Sequence, residues 1–362
     1  MKGKILWGIV LLIILSISII YFNCTKSVTR YFPSSIFLYA GNTSGYPHYN
    51  IYVISTETDL VVDSITLDAS PILFSVSPNK RTLYADLLEW DTAAHTSNVI
   101  NCEIDTRTKR FKYIGPNTST VVSPDGRYLF KGAGQGSLYE FHIFDAFTHQ
   151  QVYSESISFQ PDCFDRKTPL LYGHTLNFDI KVFNYKLMKW VKTFYPHYPD
   201  GTKITTGNIA LSPDSKKLYF LSYANQFFIG VYDIQNDSLL TIAFITNGGP
   251  LNMTPDGRYI YVTDPGEGGG CGSTGLPPSG EISVYSTETN TALPNIDTQA
   301  FEDTVYHQPL PTIWMAITPD SRKGYVSTCR DRIIVLDLIR NEAVNAIIWP
   351  SPRNLSLFYI AL

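Results

Sequence analysis

From about residue 36 onward the chain is a succession of short apolar runs, each cut off within a few residues by Pro, Gly, Asn or Asp. Runs such as Asn50-Ile51-Tyr52-Val53-Ile54 and Arg332-Ile333-Ile334-Val335-Leu336 are rich in β-branched and aromatic side chains and too short for stable helices, so they predict strands. The punctuation is itself periodic. Ser or Thr, then Pro, then Asp or Asn recurs at Ser77-Pro78-Asn79, Ser123-Pro124-Asp125, Ser212-Pro213-Asp214, Thr254-Pro255-Asp256 and Thr318-Pro319-Asp320, with a decayed copy at Gln160-Pro161-Asp162. Proline presets the turn and Asp or Asn accepts backbone N–H groups, so the motif is complete without a ligand and reads as structural. A second turn-forming position ends a later strand in each copy, at Ser55, Asp105, Asp145, Asn184, Asp233, Ser286 and Asp337.

Each copy therefore holds an apolar strand entering Ser-Pro-Asp, a second strand such as Arg127-Tyr128-Leu129-Phe130, a third ending at the Asp or Ser turn, and a fourth such as Leu60-Val61-Val62. Four antiparallel strands repeated in this way predict the blades of an all-β propeller. The ends are complementary: Ile36-Phe37-Leu38-Tyr39 matches a second strand, and Asn354-Leu355-Ser356-Leu357-Phe358 matches a first strand that reaches no Ser-Pro-Asp. Pairing them would complete one blade and remove two open edges.

The copies Thr254-Pro255-Asp256-Gly257-Arg258-Tyr259-Ile260-Tyr261-Val262-Thr263-Asp264 and Ser123-Pro124-Asp125-Gly126-Arg127-Tyr128-Leu129-Phe130 resemble the YVTN-type seven-bladed β-propeller repeat family. That group is similar to the lactonase propellers and to the haem-binding propeller of the cytochrome nitrite reductases. The resemblance implies a seven-bladed propeller over residues 36–362. It leaves function open, because propellers host binding, scaffolding and unrelated chemistries.

The first residues read differently. Lys2 and Lys4 precede an apolar stretch from Ile5 to Phe22, which predicts an exported chain. Residues 1–24 are expected to form a signal-anchor or a lipoprotein-type signal segment with Cys24 as the lipidation candidate, and simple secretion is a third outcome. Residues 25–35 would be a tether, leaving the propeller outside the cytoplasm, periplasmic or at the cell surface. A formal net charge of -4 supplies no basic field for nucleic acid, so none is expected as a partner.

Candidate chemistry lies where the repeat is interrupted. Loops joining second to third strands, and one blade to the next, emerge on one face, and the long segments Leu88–His95, Tyr195–Ile204, Pro265–Gly280 and Asp297–Pro311 all belong to that class. Loops longer than connection requires point to function. The binding-face candidates are Trp90, Asp91, His95, His174, Tyr195, His197, Tyr198, Asp264, Glu267, Tyr306, His307 and Arg330. Exposed rings suit a protein or glycan partner. The imidazoles and carboxylates raise the alternatives of a metal or haem site and of a lactonase-like hydrolase. No two histidines show ligand spacing and no Cys-x-x-Cys-His is present, so no cofactor is predicted and no catalytic residue is nominated. The glycine-rich run from Gly266 to Gly275 lacks a following helix and a Gly-Lys-Ser/Thr ending, which makes it a loop rather than a phosphate cradle. Cys271 and Cys329 fall in corresponding loops of neighbouring blades and are a disulfide candidate in an oxidising compartment.

Overall fold

The computed structural model describes residues 36–42, 49–91, 96–116, 120–132, 140–222, 226–266, 279–301, 311–328, 332–348 and 358–361. Cys24, His95, Glu267, Cys271, Tyr306, His307, Cys329 and Arg330 lie outside the described residues. No described helix is long and apolar enough to cross a membrane.

Seven four-stranded antiparallel sheets form the blades of a propeller. Six are consecutive in sequence; in blade 1 the inner strand, Phe358–Ala361, comes from the far end of the chain and pairs with Phe37–Asn42. The closure expected from the sequence is therefore present, with Phe358–Ala361 as the described inner strand and 354–357 outside the described residues. Strand pairing across the ends means that no blade can peel away without breaking a ladder.

The Ser-Pro-Asp segments join inner to second strands. In each, the first N–H donates to the carbonyl five residues on, as in Ser123 to Tyr128 at 2.9 Å and Thr254 to Tyr259 at 2.9 Å. The Ser or Thr hydroxyl turns back to the Asp or Asn carbonyl or carboxylate oxygen, at 2.6 Å for Ser123–Asp125 and Ser212–Asp214. The fourth residue takes a left-handed backbone: Lys80, Gly126, Ser215, Gly257 and Ser321 have φ between 58° and 74°. Satisfying buried polar atoms inside the turn is what allows the chain to reverse within the packed ring.

Blade 4 departs from the expected repeat. Gln160, Pro161 and Asp162 are part of its inner strand, Phe159–Phe164, and the equivalent turn is Asp165 to Leu170, closed by the Asp165 N–H to Leu170 carbonyl bond at 2.9 Å. Asp165 takes the place of Ser, accepting from the Lys167 N–H at 2.8 Å and from the Ser215 hydroxyl of blade 5 at 2.6 Å. The tripeptide copied the motif's letters without its position. The segment from Leu88 to Asp91 is also not loop: it extends a ten-residue strand, Thr82–Asp91, paired with Thr96–Asp105.

All seven predicted Asp, Asn or Ser turns do end third strands, and the residue four beyond each has a positive φ of 50° to 59°, from Asp59 through Asn341. The core lies between blades. Tyr261 of blade 6 donates to Asn341 of blade 7 at 2.6 Å, and Tyr325 of blade 7 donates to Asp59 of blade 1 at 2.6 Å. Between blades 3 and 4 the rings of Phe141, Phe159, Phe183 and Trp190 meet edge-on at 4.9 to 5.4 Å, a geometry that adds specific attraction to large apolar burial.

Candidate functional site

The inner strands of blades 4 to 7 surround a cavity of about 310 Å³ in the central channel, with Asp162, Arg166, Asn252, Met253, Met315 and Ile317 in its wall. Arg166 stands on the turn side and its guanidinium donates to the Pro255 carbonyl at 2.6 Å, reaching past blade 5 to blade 6. The deeper wall is set by an irregularity in blade 4. Gln160 pairs with His174 and Pro161 with Gly173, but the next pair is Cys163 with Tyr172, so Asp162 is an extra residue in a β-bulge. Bulges re-aim side chains, and Pro161, which has no N–H to give a ladder, fits one. Gly173 opposite is required by the close approach: a Cβ there would lie 2.1 Å from the Gln160 carbonyl oxygen and 2.6 Å from the Phe159 ring.

The bulge turns the Asp162 carboxylate inward, leaving its side chain 4% exposed. One oxygen lies 2.7 Å from Nδ1 of His174 and accepts the His174 backbone N–H at 3.1 Å; the other lies 3.5 Å from Nδ2 of Asn208 on the bulged inner strand of blade 5. Burial works against a charged His174 imidazole, yet the facing carboxylate's charge and hydrogen bond outweigh it, and the histidine's pKa lies above its ordinary value. Burial in turn pushes the Asp162 carboxyl up, against the pull of His174. The carboxylate fixes the imidazole at Nδ1, leaving Nε2 as the atom that can meet a ligand or a proton.

His174 was a sequence candidate, and three others follow the outer strand of the same blade. Tyr195, His197 and Tyr198 sit in the segment between blades 4 and 5, which folds as a small hairpin through the His197–Lys203 bridge and the Tyr198 N–H to Thr202 carbonyl bond at 2.8 Å. Lys203 ties it to Asp179 of the adjoining blade 4 turn at 2.5 Å. Tyr198 packs on buried Phe228, which carries Phe244 on its other side, both at 6.1 Å between ring centroids. His197 is exposed, with Nδ1 against the Tyr195 carbonyl. At the loop-face ends of blades 4 and 5, Leu176, Phe178, Tyr195, Phe227 and Phe244 are 37% to 58% exposed.

The remaining described candidates lie elsewhere. Trp90 and Asp91 end the long hairpin of blade 2. Asp264 is a structural clamp in blade 6: its carboxylate accepts from the Gly266 N–H at 3.0 Å and from the Ser279 N–H and hydroxyl at 2.6 and 2.7 Å, pinning the neck of the glycine-rich loop. Cys102 and Cys163 are free thiols, and burial pushes the Cys102 thiol up to about 12, which removes its reactivity. Among the described residues no three His, Cys, Asp or Glu groups cluster as a metal chelate. Sequence reading missed Asp162, Asn208 and a buried lysine: Lys131 sits 4.6 Å over the Phe144 ring with its pKa lowered by burial while Asp86 of the neighbouring blade opposes the shift. A polar residue inside an apolar strand was the available signal for Asp162 and Lys131.

No family model and no curated protein matches the chain. Solved structures do. The hydrazine synthase of Kuenenia stuttgartiensis aligns with a TM-score of 0.57 and 16% identity over 77% of this chain and 86% of that one. The dihydro-heme d1 dehydrogenase NirN, in complex with DHE, aligns with a TM-score of 0.56 and 15% identity over 87% of this chain. The match spans 64% of NirN's length. At these identities the likeness is one of fold, a seven-bladed propeller.

Proposed function

We propose that this protein is a membrane-tethered propeller, held outside the cytoplasm by its first residues, that binds a protein or glycan through the loop face of blades 4 and 5. The observation that carries this reading is the exposure of Leu176, Phe178, Tyr195, Phe227 and Phe244. Phe244 packs on Phe228, which also meets Tyr198 of the hairpin clamped by Lys203 and Asp179, and exposed rings supported from beneath suit recognition surfaces. The test is cross-linking of the full chain in its native membrane, alongside a glycan array with the purified protein. Partner cross-links at Lys203, or a defined glycan signal, that vanish in Tyr195→Ala/Phe244→Ala would support the reading. Cross-links and glycan signals indifferent to that variant would overturn it.

A second reading, tetrapyrrole binding, is favoured by His174. An imidazole oriented at Nδ1 by a buried carboxylate is the usual preparation of an axial ligand, and NirN, which shares the fold, is described in complex with DHE. The described residues offer His174 oriented by Asp162 and no cluster of three His, Cys, Asp or Glu groups. His174 would supply that contact, Asp162 would hold its ring, and the bound group would supply redox chemistry. A haem titration followed by visible absorption separates the readings: a stoichiometric Soret band lost in His174→Ala supports this one, and a spectrum with no bound haem removes it.

A further inference from the structure

The turn face is not electrically uniform. In blade 2 its two turns carry Lys80, Arg81, Arg107, Lys109 and Arg110, all exposed, with Lys109 alone among them paired to a carboxylate, that of Asp63 on the outer strand of blade 1 at 2.5 Å. Blade 3 adds Arg127, and blade 4 adds Arg166, Lys167 and Lys186 with Lys189 opening the outer strand, again all exposed. Only four acids share these turns, Asp105, Asp125, Asp145 and Asp165, and each is bound into its own turn by short hydrogen bonds. Glu57 and Asp59 in blade 1, and Asp214, Asp233 and Asp237 against Lys216 in blade 5, bound this positive sector on both sides.

Within the same sector two large apolar side chains stand at turn tips. Phe147 is 92% exposed and Leu187 is 61% exposed. A solvated polyanion gains nothing from such tips, whereas the boundary between lipid headgroups and acyl chains takes apolar and basic side chains together. The first strand of the ring also begins here: Phe37 pairs with Ser55, the residue that begins the blade 1 turn.

We propose that the turn face of blades 2 to 4 rests on an anionic lipid bilayer, with Phe147 and Leu187 inserted at the headgroup boundary and the surrounding lysines and arginines against lipid phosphates. The inference extends the tethered reading above by naming the face that meets the membrane, and it leaves the loop face pointing outward. Both the basic residues, through the surface potential, and the apolar tips, through burial, would contribute to binding.

Residues 36–362 contain the whole closed ring, so the propeller without its first 35 residues tests the face separately from any anchor. The probe is sedimentation with vesicles of phosphatidylcholine alone or mixed with phosphatidylglycerol. The expected result is binding to the anionic vesicles only, weakened by salt. Lys80→Glu/Arg107→Glu/Lys186→Glu should lower the partition coefficient at least about tenfold, and Phe147→Ser/Leu187→Ser roughly tenfold, while Tyr195→Asp on the loop face leaves it unchanged. Absence of binding to anionic vesicles would overturn the proposal. So would binding that Phe147→Ser/Leu187→Ser leaves intact, since that outcome indicates a soluble polyanion recognised by charge alone. Fractionation of the full chain then reports on the tether independently: a chain released without an anchor, alongside a propeller that binds vesicles, would remove the tether and keep the face.

Discussion

The seam between blades 7 and 1 and the seam between blades 4 and 5 are the same joint built in two ways. At the first, Asp59 sits on the turn edge and takes the Tyr325 hydroxyl at 2.6 Å and the Lys323 ammonium at 2.9 Å, with the Lys323 and Asp59 side chains 35% and 16% exposed and Tyr325 buried. At the second, the carboxylate has moved to the inner rim. Asp162 is 4% exposed and faces the imidazole of its own blade's second strand, with the amide of Asn208 3.5 Å away across the seam. An ion pair at a wet edge forms at little desolvation penalty, whereas a buried one is often no better than apolar packing. The 4–5 seam already has an apolar core of Tyr172, Phe194, Ile209, Phe220 and Phe228. A buried carboxylate and imidazole there therefore add little that the seam needs for holding together, and this contrast is what the tetrapyrrole reading of His174 draws on.

The largest expected effect breaks the buried member of the comparison. His174→Ala leaves the Asp162 carboxylate without its charged partner in a place water barely reaches, and should destabilise the propeller by about 3 kcal/mol, the low end for a severed buried pair because the carboxyl can take up a proton. Asp59→Ala at this seam removes one acceptor, but the Lys323 ammonium is part-exposed and both it and the Tyr325 hydroxyl keep the Thr56 carbonyl at 2.9 and 3.3 Å, so the loss should be milder, about 1.5 kcal/mol. Urea unfolding of both variants checks the order. Equal losses would show that position on the rim has no bearing on the pair's role. Tyr325→Phe then sharpens the wet seam alone: losing one hydrogen bond to a carboxylate should remove roughly 1 kcal/mol, leaving the Lys323–Asp59 contact in place.

The two seams also differ in how far the sequence disclosed them. The turn that holds Asp59 was legible because its chemistry is local: Ser55 starts the turn, a residue four later accepts positive φ, and the pattern recurs seven times. Closure by the chain ends was legible for the same reason, as a missing strand at each end of a counted repeat. Asp162 was misplaced because Gln160-Pro161-Asp162 carries the motif's letters, while the true turn, from Asp165 to Leu170, has an Asp where Ser is usual. A bulge depends on the partner strand, here on Gly173 leaving room, and no window of one strand contains that information. The contact between Asp162 and Asn208 joins two bulges 46 residues apart. For the loop face, length was a good guide at Tyr195–Ile204 and a poor one at Leu88–Asp91, where cross-strand pairing lengthened the strands instead.

Acidity offers a subtler test of the buried pair. The folded pKa of His174 lies above the ordinary imidazole value of 6.5, so the proton it holds stabilises the fold fully below that value and the contribution fades as pH rises through the folded pKa. Thermal stability should accordingly decline on going from mildly acidic to mildly alkaline solution, and the decline should shrink in Asp162→Asn, whose amide no longer holds the proton on the imidazole. A slope unchanged by Asp162→Asn would separate the histidine's titration from its carboxylate partner.

The smallest effect on stability belongs to the outer surface of the same seam. Tyr195 and Phe244 are more than half exposed, and surface truncations away from caps and buried networks usually change stability by no more than about 0.5 kcal/mol. Tyr195→Ala/Phe244→Ala should therefore unfold at nearly the wild-type denaturant midpoint while losing recognition at the loop face. Phe228 beneath them is 2% exposed and joins both Tyr198 and Phe244, so Phe228→Ala should cost about 3 kcal/mol or more. The pair of results divides the aromatic stack into a supporting ring and exposed rings free for a partner. A large loss from Tyr195→Ala/Phe244→Ala would instead make the whole stack part of the core and remove the strongest support for a binding surface at blades 4 and 5.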